Sequence, residues 1–219
     1  TEATANFTDD NLFSDYEVYV GSYTGYFNSK HVGTAKAVTI EDIVLAGSGS
    51  SRFVLSSDVD STAADITARP ITVTAVADSK VYDGLLTSDE TPAITVGSIA
   101  AGDSANFIQA FDNKNVGTSK TLTPSGSVND GNSGNNYSVT FMSNNSGVVT
   151  TKELTVTGIT AGNKVYDGNT TATLDTSAAA LVGVVDLDTV NLVTISAIGT
   201  FNNKNVGSDK AVAVTSLSI

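Results

Sequence analysis

The stretch Phe111-Asp112-Asn113-Lys114-Asn115-Val116-Gly117 decides the organisation of this chain, because close copies of it occur twice more. One copy is Phe201-Asn202-Asn203-Lys204-Asn205-Val206-Gly207, and a looser one is Phe27-Asn28-Ser29-Lys30-His31-Val32-Gly33. The first phenylalanines of the copies stand at positions 27, 111 and 201, so the two intervals are nearly equal (111 − 27 = 84; 201 − 111 = 90). Self-similarity at a nearly fixed spacing indicates that one supersecondary unit is repeated along the chain.

A second phrase supports the same period. Lys80-Val81-Tyr82-Asp83-Gly84 recurs as Lys164-Val165-Tyr166-Asp167-Gly168, at the same interval that separates Phe27 from Phe111 (164 − 80 = 84). The phase of the two phrases predicts three units: an N-terminally incomplete repeat over 1–68, a complete repeat over 69–151 and a C-terminally incomplete repeat over 152–219. Chemistry confined to one copy is a poor candidate for the function of the array.

Composition and alternation predict an all-β fold. The 219 residues include 19 Gly and no Cys, so turns are frequent and disulfides cannot supplement the small cores. Apolar and hydroxylated residues alternate along 71–76 and 154–157, as expected of strands with one buried face. Similar alternation marks 93–96, 120–123, 137–141, 190–195 and 210–214. Residues 144–147 are predicted to form a turn, and 178–181 is the best candidate for a short helix. We predict tandem antiparallel Ig-like β-sandwich repeats, joined by short connections into an elongated rod.

The charge balance narrows the predicted partners. A formal net charge of -12 repels phosphate backbones and anionic lipid, so we expect no nucleic-acid partner and no membrane insertion. The predicted partners are neighbouring repeats or copies of the chain itself, with host or matrix glycans as a further possibility. No cofactor is expected apart from calcium.

Most residues of the repeated phrases are assigned structural roles in turns and cores. The only histidine, His31, occupies the slot of Asn115 and Asn205, which disfavours a catalytic or zinc-binding role. Asp83 and Asp167 could be imagined as half of a glycosidase pair, but each is better explained as capping a turn that its glycine allows. The predicted structural residues are Phe27, Tyr82, Asp83, Gly84, Phe111, Asn115, Gly117, Tyr166, Asp167, Gly168, Phe201, Asn205 and Gly207. Phe111 and Phe201 are predicted to be equally buried.

Two further kinds of site are open. Calcium needs several converging oxygen ligands, and acidic loops offer Asp58, Asp60, Asp130, Asp186 and Asp188 as candidate ligands. None of these loops has the spacing of an EF-hand. A lysine–asparagine isopeptide crosslink would require a buried lysine, an asparagine and an acid in contact, with Lys80, Lys164 and the lysines of the Asn-Lys-Asn phrases as candidates.

The ordered phrases resemble YDG and related MBG repeats, which build the stalks of large bacterial surface adhesins of the filamentous-haemagglutinin type. Asn136-Tyr137-Ser138-Val139 and Thr151-Lys152-Glu153-Leu154-Thr155-Val156 complete the pattern, although the first unit lacks Lys-Val-Tyr-Asp-Gly. The resemblance covers essentially the whole chain. It implies a secreted, β-rich and non-catalytic extension module outside a bacterial cell, on the cell surface.

Three functional hypotheses follow. The first is a structural module of an extracellular adhesin stalk or surface filament. The second is a carbohydrate- or protein-binding adhesive module that uses Tyr16, Tyr19, Tyr23 and Tyr26, and the third is a head-to-tail filament subunit that donates a strand. An enzyme is not expected, because the chain has no Cys, one unrepeated His and no Ser motif near a base.

Overall fold

The computed structural model describes residues 18–57 and 60–219, and this part of the chain is built almost entirely of strands. Its only helical segment is a single 3-10 turn at Ser50–Arg52. The strands in chain order are β1 (Tyr19–Phe27), β2 (Gly33–Ala46), β3 (Asp60–Ile66), β4 (Arg69–Thr74), β5 (Ser79–Val81), β6 (Ala93–Val96), β7 (Ser104–Phe111), β8 (Gly117–Asn129), β9 (Tyr137–Met142), β10 (Asn144–Thr150), β11 (Thr155–Thr157), β12 (Thr160–Ala161), β13 (Thr171–Ala172), β14 (Leu174–Asp175), β15 (Ala180–Val182), β16 (Ile198–Phe201) and β17 (Val212–Thr215). The all-β prediction is confirmed.

The strands form several small sheets. Their orders are β1-β2-β3, β6-β4-β9, β5-β10-β8-β7, β11-β15, β12-β14 and β13-β16-β17. Two compact units divide the chain: one contains residues 1–76, 90–110 and 122–144, and the other contains 77–89, 111–121 and 145–219. Residues 1–17 and 58–59 lie outside the described part of the first unit.

Alternation along β2 shows how the sequence selects one face of a strand. Val38 and Ile40 are buried, whereas the intervening Thr39 and the following Glu41 are exposed. Successive side chains of a strand point to opposite faces, so this pattern places the apolar residues on the covered face.

The main core of the first unit is formed by side chains from two sheets. Ile71 and Val73 from β4 pack with Phe107 from β7, Val128 from β8 and Tyr137 from β9. These strands belong to the β6-β4-β9 sheet and to the β5-β10-β8-β7 sheet, so both sheets contribute side chains to the cluster.

The prediction of purely antiparallel pairing is wrong. β4 pairs with β9 in parallel from Arg69↔Tyr137 to Thr74↔Met142, and β5 pairs with β10 in parallel. A parallel pair needs a long crossover, which the segment 75–136 between the two strands provides. Alternation identifies strands but carries no information about their direction.

Three local predictions also differ from the structure. The helical candidate 178–181 instead contributes to β15, because Ala180–Val182 pairs antiparallel with β11. The predicted strand 190–195 contains only an isolated bridge, Val193↔Ser218. Residues 144–147, predicted as a turn, begin β10. Whether each segment forms a strand depends on its pairing with a neighbouring strand, and local composition does not reveal that pairing.

Glycines hold the turns of the repeated Lys-Val-Tyr-Asp-Gly phrase. Gly84 and Gly168 have φ values of +80° and +83°, in the left-handed region that favours glycine. Gly117 and Gly207, which end the Asn-Lys-Asn-Val-Gly phrase, have no positive φ among the described backbone angles. Backbone conformation therefore explains the first pair of glycines but not the second.

Candidate functional site

The Lys-Val-Tyr-Asp-Gly phrase builds the same polar corner in two copies. Lys80 Nζ donates to Asp83 Oδ1 at 2.9 Å and to the carbonyl oxygens of Leu85 and Thr87 at 2.9 and 2.8 Å. Asp83 Oδ1 also accepts the backbone N–H of Leu85 at 2.9 Å. The lysine thus ties the aspartate to the carbonyl groups of the turn that follows it.

The third copy repeats this arrangement with one change of partner. Lys164 Nζ donates to Asp167 Oδ1 at 2.7 Å and to Asn169 Oδ1 at 2.8 Å. Asp167 Oδ1 accepts the backbone N–H of Asn169 at 3.1 Å. We call these two groups, Lys80 with Asp83 and Lys164 with Asp167, the lysine–aspartate corners.

Each corner also brings the two repeated phrases together. Lys80 Nζ lies 5.2 Å from the ring centroid of Phe111, and Lys164 Nζ lies 5.8 Å from that of Phe201. These distances fall within the range of cation–π attraction. The structure therefore places the phenylalanine of one phrase beside the lysine of the other.

The carboxylates of the corners are held in their ionised form. The pKa of Asp83 lies below its ordinary value chiefly because of the hydrogen bond from Lys80, with a further contribution from the Leu85 N–H. The pKa of Asp167 is lowered in the same way by Lys164 and the Asn169 N–H. A depressed pKa suits a structural counterion and does not suit a general acid working near neutral pH.

The Asn-Lys-Asn-Val-Gly phrase forms a second repeated group, in which the side chain of its first asparagine, Asn113 or Asn203, accepts the central hydrogen bonds. Asn113 Oδ1 accepts the N–H of Asn115 at 3.1 Å and Lys120 Nζ at 2.5 Å. Asn203 Oδ1 accepts the corresponding bonds from Asn205 and Lys210 at 3.0 and 2.6 Å. In the first copy Lys36 Nζ donates to Ser29 Oγ at 2.8 Å.

The lysine of this second group, Lys120 or Lys210, is not among the predicted structural residues. Its signal is a constant spacing of seven residues, from Ser29 to Lys36, from Asn113 to Lys120 and from Asn203 to Lys210. Lys120 is only 6% exposed, so a buried ammonium is satisfied by the turn. Asn115 and Asn205 contribute their backbone N–H groups, in agreement with a role in the turn.

The aromatic residues of the phrases differ in burial between copies. Phe111 is 2% exposed, whereas Phe27 and Phe201 are only partly buried. Tyr82 is partly buried, and Tyr166 is exposed. The predicted equivalence of Phe111 and Phe201 is wrong, because Ala172 is the only buried apolar side chain within the described residues 152–219.

The acidic loops do not assemble a metal site in the described residues. No group of three or more potential ligand residues occurs in 18–57 and 60–219. Asp130 is buried, and its carboxylate accepts N–H groups from Asn132, Gly134 and Asn136 at 2.7, 2.8 and 2.9 Å. Burial alone would raise its pKa, but these backbone donors hold the pKa below its ordinary value.

The other calcium candidates have separate surroundings. Asp60 Oδ1 accepts the Ser61 N–H at 2.7 Å, and Asp188 forms an ion pair with Lys114. Asp186 is exposed, and Asp58 lies outside the described residues. Calcium binding stays a prediction for these loops.

The remaining candidates also have defined positions. His31 Nδ1 lies 3.2 Å from Asn136 Nδ2 and is partly buried. Tyr19 and Tyr26 are about half exposed, Tyr23 is partly buried, and Tyr16 lies outside the described residues. No described helix is long and apolar enough to cross a membrane.

These observations define a class of all-β proteins in which successive copies share the same lysine-centred turns. Residues 67–146 and 150–219 both match the YDG domain family. The chain belongs to the YDG domain family. No curated protein and no solved structure matches it.

The family match corrects the predicted relationship to adhesin repeats. It is a match to the YDG domain and carries no adhesin, cell-surface, secretion or filament role. SRA-YDG domains, which share the name, are typical of eukaryotic and plant readers of DNA methylation and are not adhesin repeats. The stalk, adhesive-module and strand-donation hypotheses are therefore set aside.

The exclusion of nucleic acid as a partner is corrected for the same reason. SRA-YDG domains bind methylated DNA, so net charge alone does not remove DNA from the candidate partners. A formal charge describes the whole chain, whereas recognition depends on the groups at one surface. The predicted extracellular location stays an untested prediction.

Proposed function

We propose that this chain is a non-catalytic module of tandem YDG domains, in which the lysine–aspartate corners are architectural. One observation carries the proposal: in two copies, the lysine and aspartate side chains of the repeated phrase form the same hydrogen bonds with each other and with the following turn. Lys80 and Lys164 each bind an aspartate and the turn beyond it. An enzyme would need such groups to face a substrate in a defined geometry.

We further propose that the second repeat is a small β-sandwich. The cluster of Ile71, Val73, Phe107, Val128 and Tyr137 supports this, because it joins side chains from two sheets. Both sheets contain parallel pairs, so the arrangement is mixed and differs from a purely antiparallel Ig-like sandwich.

The architectural role of the corners is tested by stability. Residues of functional sites are often not optimal for stability, so their replacement leaves the free energy of unfolding unchanged or raises it. Replacement of a structural residue lowers it. We expect Lys80→Met to lower the free energy of unfolding by about 1–2 kcal/mol, because the turn loses charged hydrogen bonds. Lys152→Met, at an exposed position, is the matched control.

Urea denaturation of the two variants checks this proposal. An unchanged or raised midpoint for Lys80→Met, with the Lys152→Met control equal to the wild type, would contradict an architectural corner. Lys164→Met extends the comparison to the third copy and should act in the same direction.

Methylated DNA is the partner class to test first, because SRA-YDG domains bind it. The charge of the chain disfavours phosphate binding, because there are 11 Lys and Arg against 23 Asp and Glu. Five lysines already form ion pairs with aspartates: Lys30, Lys80, Lys114, Lys120 and Lys164. Phosphate contacts depend strongly on salt, so binding should be sought at low ionic strength.

Fluorescence anisotropy with matched methylated and unmethylated duplexes provides this test. Preference for the methylated duplex would add DNA recognition to the proposed non-catalytic module. Absence of binding to either duplex at low salt would remove DNA from the candidate partners and leave the architectural assignment of the corners intact.

A further inference from the structure

The lysine of the Asn-Lys-Asn-Val-Gly phrase contacts the following repeat at two equivalent places. Lys30 Nζ lies 3.0 Å from Asp103 Oδ1, and Lys114 Nζ lies 3.5 Å from Asp188 Oδ1. The two lysines are one repeat period apart, and the two aspartates are separated by almost the same interval (114 − 30 = 84; 188 − 103 = 85). One contact lies within each compact unit.

We propose that these two ion pairs are a domain clasp, an interaction surface through which each sequence repeat binds the acidic loop of the next repeat in the chain. The domain clasp is defined by Lys30 with Asp103 and by Lys114 with Asp188. Its partner is therefore a following repeat that presents an aspartate at the corresponding loop position, as Asp103 and Asp188 do.

In the first clasp, the Asp103 carboxylate is held in place by its own repeat. The Asp103 side chain is only 7% exposed, and its Oδ2 accepts the Tyr137 hydroxyl at 2.8 Å. Tyr137 is a member of the main core, and its hydroxyl oxygen accepts the Ala100 N–H at 2.8 Å. The second repeat thus fixes the carboxylate that the first repeat engages.

Neighbouring bonds strengthen the first clasp. The Val32 N–H donates to Asn136 Oδ1 at 3.0 Å, and His31 Nδ1 lies 3.2 Å from Asn136 Nδ2. Asn136 also donates its backbone N–H to Asp130 Oδ2 at 2.9 Å. The acceptor that holds Val32 is therefore anchored inside the second repeat.

The second clasp uses the repeated tyrosine. Lys114 Nζ lies 6.0 Å from the ring centroid of Tyr82, which holds the lysine against its own repeat. On the partner side, a Cβ added to Gly84 would lie 2.8 Å from Val185 Cγ1, so the turn of the Lys-Val-Tyr-Asp-Gly phrase lies against the loop that carries Asp188. The pKa of Lys114 is raised first by Tyr82 and then by Asp188, which keeps its charge in place.

The third copy supplies a control within the same chain. Lys204 occupies the slot of Lys30 and Lys114, but it forms no ion pair among the described residues. It borders a cleft of about 700 Å³ beside the exposed side chains of Tyr166 and Val206. Replacement of Lys204 therefore removes the same side chain without removing a clasp.

A double-mutant cycle on the second clasp tests the proposal. Lys114→Ala, Asp188→Ala and the double variant are compared with the wild type by thermal unfolding, with Lys204→Ala as the control. A clasp predicts that the two single shifts in midpoint do not add, because either change already breaks the pair. It also predicts that the difference between the wild type and Lys114→Ala shrinks in high salt.

Amide hydrogen exchange gives an independent measurement at the first clasp. In Lys30→Ala the Val32 amide should exchange roughly two- to fivefold faster than in the wild type, which corresponds to the range measured for exposed ion pairs. Lys204→Ala should leave this rate unchanged. Additive shifts in the cycle, or an unchanged Val32 rate in Lys30→Ala, would overturn the clasp and leave two unrelated surface contacts.

Discussion

Lys120 Nζ donates a hydrogen bond to Asn113 Oδ1, seven residues earlier in the chain, at 2.5 Å. The same oxygen accepts the Asn115 N–H, so one amide oxygen fixes both the turn and the buried lysine. Asp112 Oδ1 lies 3.6 Å from Lys120 Nζ and balances its charge. The equivalent bond from Lys210 to Asn203 is 2.6 Å long, but Lys210 is less buried.

Replacement of this lysine should be costly in the second copy. Lys120→Met keeps much of the side-chain volume but removes the donor, and we expect a loss of about 1–3 kcal/mol in the free energy of unfolding. Lys210→Met is the matched variant at the less buried position and should cost less. Urea denaturation measures both, and an equal or larger cost for Lys210→Met would contradict the importance of burial.

The phenylalanines of the repeat offer a similar comparison. Phe111→Ala should lower the free energy of unfolding by about 3–5 kcal/mol, because it empties a fully buried position. Phe201→Ala should have a smaller effect, since Phe201 is only partly buried. If the two changes lowered the denaturation midpoint equally, Phe111 and Phe201 would be equally buried in solution, which would contradict this prediction.

The extent to which these features could be predicted depends on their range in the sequence. Period-two alternation located β6 and β9 closely, because the faces of a strand are a local property. The parallel pairing of β4 with β9 could not be deduced, since it joins Arg69 to Tyr137 and so spans most of a repeat. Local patterns do not encode such partners.

The candidate site shows the same division. The repeated phrases identified Asp83, Gly84 and Phe111 as structural residues, and the structure places the first two in a turn and the third in a core. Proximity between Lys80 and Phe111 was not predicted, because it joins two phrases through the fold. The role of Lys120 was accessible from spacing, since the same seven-residue interval occurs in all three copies.

Stability should fall in acid because of the buried carboxylate of Asp130. Its folded-state pKa is depressed, so the unfolded chain binds more protons as the pH falls. The stabilising contribution is complete above the ordinary aspartate pKa of about 3.9 and is lost as the pH falls through the lower folded-state value. Asp83 and Asp167 add to the effect with the same sign.

Asp130→Asn tests this assignment by urea denaturation at neutral pH and near pH 2. We expect the variant to be less stable than the wild type at neutral pH and the difference to narrow in acid. The exposed Asp89→Asn change is the control and should leave the pH dependence unchanged. A constant difference between Asp130→Asn and the wild type across this pH range would contradict the proposed role of the carboxylate.

The contact between Lys120 and Asn113 also brings together the three groups needed for an isopeptide crosslink: a lysine, an asparagine and the acid of Asp112. Crosslinking requires the nitrogen lone pair of a neutral amine to attack Asn113 Cγ, with release of the side-chain nitrogen as ammonia. The ion pair with Asp112 is formed by the ammonium, which has no lone pair to donate. The Asp112 side chain is 42% exposed, so this acid is not buried together with the lysine.

We therefore expect a hydrogen bond and no covalent bond at this position. The intact mass of the purified chain should equal the sum of its residues and one water, and digestion should yield separate peptides for Asn113 and Lys120. Asn113→Ser, which introduces the residue that the first copy has at Ser29, is the matched control and removes the carboxamide. A mass deficit of one ammonia in the wild type that disappears in Asn113→Ser would establish the crosslink and overturn this prediction.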